Sequence, residues 1–186
     1  MGPRFSAALA FAHELHGSQL RKGTKIPYIA HLLAVASLVI ENGGDEDTAI
    51  AALLHDAVED QGGRQMLERI RARFGDAVAD VVDECSDTDV SPKPPWKARK
   101  KAYLDAMPHK SRAALLVAAA DKLHNARSVV ADLRELGGSV WDRFNAKKDD
   151  QFWFYTEMVR GLREAGMTGR LVDELADLTE EMKRVS

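Results

Sequence analysis

An aliphatic run, Ala51-Ala52-Leu53-Leu54, ends in His55-Asp56-Ala57-Val58-Glu59-Asp60, so four titratable groups stand against a stretch that a folded chain would bury. On a helix, His55 and Glu59 lie one turn apart, as do Asp56 and Asp60, and all four crowd one edge. Burying that many ionisable groups beside a core is costly unless something pairs with them. A divalent metal ion is the obvious partner, because imidazole and carboxylate are its usual ligands. A solvated helix end is the other explanation, and it suits Glu59 and Asp60 better than His55. Two more residues carry the same tension. His31, in Pro27-Tyr28-Ile29-Ala30-His31, adjoins an apolar run; alone it reads as a core histidine with its hydrogen bonds met. Asp121 follows Leu115-Leu116-Val117-Ala118-Ala119-Ala120, the most apolar stretch of the chain. It needs a partner there, and Lys122 or a nearby arginine would serve.

Helices must position these groups, since apolar residues recur with helical period almost throughout and strand signals are scarce. The pattern predicts a first helix over Pro3 to His16, with proline at its start and Gly17 at its stop. A loop from Gln19 to Tyr28 bears Arg21, Lys22 and Lys25. The second helix runs from Ile29 to Asn42. Asp45 can cap the third, which carries His55 to Asp60 and stops at Gly62-Gly63. Shorter helices follow over Arg64 to Phe74 and Asp76 to Glu84. Ser86 to Pro95, with three prolines, reads as the longest loop. A basic helix spans Trp96 to Met107, Ser111 can cap a long one to Leu136, another covers Ala146 to Ala165, and Thr168 can cap the last, through Arg184. The expectation is an all-α chain, one bundle of about eight to nine helices with no internal repeat or linker.

With 186 residues, 45% of them apolar, the chain can bury one real core. A net charge of −3 and a pI near 6.1 argue against bulk nucleic-acid binding while leaving room for a local basic pocket. No apolar run approaches the ~20 residues of a membrane span. Phe5 to Ala12 is apolar enough to suggest a signal segment, but it runs into His13 and Glu14 and reads as a core helix. The single cysteine, Cys85, excludes an internal disulfide and suits a reducing cytosol, with a buried small side chain as its expected role. The expected location is cytoplasmic, and the expected partner is a small molecule rather than a nucleic acid or a membrane. His13, His16, His109 and His124 read as helix-face or surface residues, and the aromatic segment from Trp141 to Tyr155 mostly as core.

Taken together, a histidine, an adjacent His-Asp pair and a later aspartate on separate helices resemble the ligand order of the HD-domain metal phosphohydrolases. The surrounding residues resemble one branch, the RelA/SpoT-type hydrolases. Arg21-Lys22-Gly23 followed by Pro27-Tyr28-Ile29 and His31 is similar to their first motif, and His55-Asp56-Ala57-Val58-Glu59-Asp60 to their second. Ala120-Asp121-Lys122-Leu123 with Asn125 is similar to the segment bearing the last ligand. The likeness runs from about residue 5 to 165 and is strongest to the stand-alone small alarmone hydrolases, which lack a synthetase domain.

The resemblance implies a single HD-type domain over residues 1–186 and a Mn²⁺-dependent removal of the 3′-diphosphate from ppGpp or pppGpp. It implies His31, His55, Asp56 and Asp121 as metal ligands, and Glu59 and Asp60 as the pair that orients and deprotonates the attacking water. Arg21 and Lys22 would lie near the nucleotide phosphates, and Asn125 would hold the ribose or phosphate side. The residue types agree: mixed imidazole and carboxylate ligation suits Mn²⁺, Fe²⁺ or Zn²⁺ alike. Cationic side chains in the first loop, and Lys97 with Arg99, Lys100 and Lys101, can supply charge-assisted hydrogen bonds to a polyanion. For the second group a solvated helix face is an equal explanation. The chain departs from the pattern in two places. His31 is followed by Leu32 where proline is common, and the proline-rich loop from Asp87 to Pro95 is not a close match. That loop borders the pocket in the resemblance, so adenosine alarmones, or other phosphorylated nucleotides such as NADPH, stay open as substrates.

Overall fold

The computed structural model describes residues 1–87, 92 and 94–186, and the folded elements are helical. Of the loop expected from Ser86 to Pro95, residues 88–91 and 93 lie outside the described residues. The helices are α1 (Pro3–His16), α2 (Ile29–Glu41), α3 (Glu46–Leu54), α4 (Ala57–Gln61) and α5 (Gly63–Phe74). After them come α6 (Asp76–Cys85), α7 (Trp96–Asp105), α8 (Arg112–Leu136), α9 (Lys148–Glu164) and α10 (Arg170–Arg184). Short 3₁₀ turns cover Met107–His109 and Gly137–Arg143. Every helical segment expected from the sequence is present among the described residues, and the third is divided into α3 and α4 at His55-Asp56.

That division has a local cause. The carbonyl of Ala52, which the Asp56 N–H would reach in an unbroken helix, faces His55 Nδ1 at 2.8 Å. The expectation of one continuous helix through Asp60 is corrected accordingly. His55 closes one helix and Asp56 opens the next. Caps behave as expected at two of three places. Thr48 N–H donates to Asp45 Oδ1 (2.9 Å) and Ala114 N–H to Ser111 Oγ (3.2 Å). At α10 the N-cap is Gly169, with φ of 101°, so Thr168 falls outside the capping position.

The described residues form two compact units, one of residues 1–93 with 110–118 and the other of 94–109 with 119–186. In the first, α3 is central: Thr48 through Leu54 are all buried, and α1, α2 and α6 pack around it. A helix that is apolar on all sides has to sit inside a core, and this one does. Leu32, Val35, Ala36 and Val39 of α2 and Ala8, Phe11 and Ala12 of α1 complete its surroundings. Arg4 binds the free carbonyl of Phe74 at the end of α5 (2.6 Å) and Asp47 at the start of α3 (2.6 Å), joining three helices. Cys85 is half-buried, with Sγ 3.8 Å from the Ala114 carbonyl, rather than fully enclosed. In the second unit α9 packs on α7 and α10. α10 turns Leu171, Val172, Leu175, Thr179 and Met182 inward at helical spacing. No described helix is long and apolar enough to cross a membrane.

The Asp45 cap gives a stability prediction. Hydrogen bonds from the Thr48 hydroxyl and N–H hold the Asp45 carboxyl below its ordinary range. A depressed folded pKa means the contribution is present above the unfolded value and is lost as pH falls through the folded one. Asp45→Ala is expected to cost about 1 kcal/mol at neutral pH, and so to lower the Tm by about 2–4 °C. Thermal melts at pH 7 and pH 2 check it, since the difference between wild type and variant should shrink at the lower pH.

Candidate metal centre

The end of α3 and the first turn of α2 bring three ligand groups together. His31 is 1% exposed and His55 4%, while Asp56 is half-buried. One donor atom from each lies within 4.8 Å of the others, and among the described residues this is the group so arranged. Asp56 Oδ2 stands 3.0 Å from His55 Nε2 and 3.7 Å from His31 Nε2. The two imidazole rings meet edge to face, their centroids 5.3 Å apart. With Nδ1 directed at the Ala52 carbonyl, His55 presents Nε2 toward Asp56. Two imidazole nitrogens and one carboxylate oxygen aimed at a common point are a donor set that fits a divalent transition ion. Burial pushes the Asp56 carboxyl up, but the His55 and His31 imidazoles outweigh it and hold the acid well below the usual carboxylate range. The Tyr28 hydroxyl donates to the same Oδ2 and fixes its direction.

The second motif continues into α4. Glu59, half-buried, accepts from the Asp87 N–H through Oε1 at 2.8 Å. Asp60 is exposed and accepts from Gln19 Nε2 through Oδ2 at 2.8 Å. Arg21 and Lys22 lie in the loop between α1 and α2, closed by an isolated bridge between Leu20 and Pro27. Arg21 N–H donates to the Ile26 carbonyl (2.8 Å), and Gly23 makes the turn with a φ of 71°. Leu32, which follows His31, is fully buried and joins the core.

Asp121, Asn125 and Lys97 belong to the second unit. Asp121 is 7% exposed and pairs with Lys122, whose ammonium also lies 5.8 Å from the Phe154 ring centre. Asn125 Nδ2 donates to the other oxygen of Asp121 at 2.6 Å. The local ion pair considered for Asp121 is therefore formed, and the one-turn spacing to Asn125 brings the two side chains together as expected. Lys97 pairs with Asp150 (2.7 Å) and stands 5.4 Å from the Trp153 ring centre. Of the aromatic segment, Phe154 and Tyr155 are buried, while Trp141, Phe144, Phe152 and Trp153 are half-buried.

Sequence reasoning missed His16, Gln19 and Tyr28. His16 is 1% exposed, not a surface residue, and its ring stacks on Tyr28 at 5.4 Å. A signal was available: Ala8, Ala12 and His16 share one face at i, i+4, i+8, and the first two are core. Gln19 and Tyr28 carried no such signal, since both lie in a loop whose path the helical period does not predict.

A family profile described as HD domain matches residues 8–152, and the chain belongs to that family. Within it, the chain is 40% identical over 159 residues to the guanosine-3′,5′-bis(diphosphate) 3′-pyrophosphohydrolase MESH1 of Xenopus tropicalis, covering 84% of this chain and 83% of that one. The Homo sapiens protein of the same name is 33% identical over 177 residues, covering 94% and 92%. A solved structure described as a metazoan ortholog of SpoT that hydrolyses ppGpp superposes with a TM-score of 0.80 at 28% identity. The match covers 97% of this chain and 96% of that one.

Proposed function

We propose that the protein is a metal-dependent hydrolase that removes the 3′-diphosphate from ppGpp or pppGpp, leaving GDP or GTP and pyrophosphate. The observation that carries this reading is the convergence of His31, His55 and Asp56 within 4.8 Å, on a chain alike over most of its length to curated 3′-pyrophosphohydrolases. A single HD-type domain over residues 1–186 is part of the proposal, supported by a family match that runs through both units. His31, His55 and Asp56 would hold the ion, with Asp121 as the fourth ligand carried over from the resemblance; Mn²⁺ is the expected metal, and Fe²⁺ and Zn²⁺ suit the same donors. When bound, such an ion supplies Lewis acidity to a phosphoryl oxygen and lowers the pKa of water.

The chain's own residues do the rest. Hydrolysis consumes one water, breaks the bond between phosphorus and the ribose 3′-oxygen, and returns a proton to that oxygen. Glu59 and Asp60, each four residues past its counterpart in His55 and Asp56, direct the water and collect its proton. Arg21, Lys22 and Lys97 neutralise the phosphates, and Asn125 holds the ribose or phosphate side. The expected partner is thus a small nucleotide.

Incubating the purified protein with Mn²⁺ and ppGpp tests the reading: stoichiometric GDP and pyrophosphate are expected. Orthophosphate release, or turnover of adenosine alarmones or NADPH with ppGpp untouched, would overturn the guanosine assignment in favour of a broader HD-domain phosphohydrolase. Binding of ppGpp without turnover would leave a nucleotide-sensing module instead.

A further inference from the structure

Gln19 is held at its main chain and at its side chain. Its N–H donates to the His16 carbonyl (3.0 Å), and its carbonyl accepts from the Tyr28 N–H (2.8 Å). Its amide oxygen accepts from Gln61 Nε2 (2.9 Å) and faces His16 Nδ1 (2.7 Å), while its amide nitrogen donates to Asp60 Oδ2 (2.8 Å). The orientation of the amide follows from its partners. An ionised carboxylate only accepts, so the NH₂ group must face Asp60 and the oxygen must face the other two. His16 Nδ1 therefore carries the ring proton. His16 Nε2 is left as an acceptor, buried, with no hydrogen-bond partner among the described residues. Leaving a buried polar atom in that state is unfavourable, and an apolar side chain would fill the space without it. The feature that the imidazole adds over an apolar residue is the hydrogen bond to Gln19. Its ring also stacks on Tyr28, with an interplanar angle of 26°, and the Tyr28 hydroxyl reaches Asp56.

We infer that Gln19, clamped between His16 and Gln61, is a positioning residue that sets the direction of the Asp60 carboxylate, and that His16 and Tyr28 tie this setting to Asp56 at the metal centre. The inference rests on the reading of Asp60 as one of the groups that direct the water. An exposed carboxylate samples several rotamers, and a base that must meet a reacting water loses rate when it wanders. Gln19 restricts it from a backbone pinned on both sides.

A double-mutant cycle with Gln19→Leu and Asp60→Asn tests the coupling. Gln19→Leu is expected to lower kcat about 10-fold, with KM and bound metal unchanged, and to add nothing in the Asp60→Asn background. Undiminished kcat in Gln19→Leu, or an equal loss in both backgrounds, overturns the inference; a merely structural role for Gln19 would produce the second result. Ring-nitrogen NMR of ¹⁵N-histidine-labelled protein decides the clamp without reference to activity. The wild type should show His16 as the neutral Nδ1–H tautomer, and Gln19→Leu should release it to Nε2–H. An Nε2–H tautomer or an imidazolium at His16 in the wild type overturns the clamp. If the wild type releases no pyrophosphate, the functional reading falls, and the tautomer measurement still decides whether Gln19 is held as described.

Discussion

Asp56→Ala is expected to strip the metal ion and reduce pyrophosphate release by more than about 10²-fold, while the helices stay intact. Asp56 Oδ2 is the atom that both imidazoles approach, at 3.0 and 3.7 Å, so its loss removes the carboxylate from the converging group. The two imidazoles and the proposed fourth ligand Asp121 would then offer one anionic donor fewer to a hard or borderline divalent ion, which weakens its binding. The fold should survive. Asp56 is half-buried, so water can take over the bond from the Tyr28 hydroxyl. An orphaned donor costs about 1–3 kcal/mol at most, against a total stability of about 5–15 kcal/mol. His55→Ala should behave alike, with a further small loss because its ring fills buried space at the end of α3. Metal content after dialysis, far-UV circular dichroism and product release measured on one preparation check the prediction. A variant that keeps its full metal complement would remove Asp56 from the ligand set.

Glu59→Gln is expected to leave the metal bound and slow hydrolysis by about 10²-fold or more. The substitution is close to isosteric, and a glutamine Oε1 can still accept from the Asp87 N–H that Glu59 Oε1 receives at 2.8 Å. The local geometry is thus conserved and only the basicity is lost. Rate loss with unchanged KM and metal content would assign the residue to proton transfer. Retention of the full rate would exclude it from the mechanism.

The all-α character, the helix positions and two of the three expected caps were legible because apolar periodicity and capping chemistry are local properties of sequence. So was the candidate site's nucleus, since His31, His55 and Asp56 are polar residues set where the period demands apolar ones. The break at His55-Asp56 was not legible. It depends on a side chain facing a main-chain carbonyl, and no residue pattern encodes that choice between two acceptable conformations. His16 was legible in principle from its place on the buried face of α1, but its polar character favoured a surface reading. Gln19 and Tyr28 gained significance only through contacts 41 and 28 residues away in sequence, at Asp60 and Asp56. Lys97, on the basic helix face that charge offers to a polyanion, carries an ion pair with Asp150 that the sequence pattern did not indicate.

The central claim is that His31, His55 and Asp56 hold one divalent cation on which phosphoester cleavage depends. The most direct measurement is a titration of chelator-stripped protein with Mn²⁺, following bound metal and pyrophosphate release from ppGpp in the same samples. The account predicts release that rises in proportion to bound metal, saturates at a fixed stoichiometry and is absent in the stripped protein. Undiminished release from stripped protein, or an unchanged titration in Asp56→Ala, would contradict it.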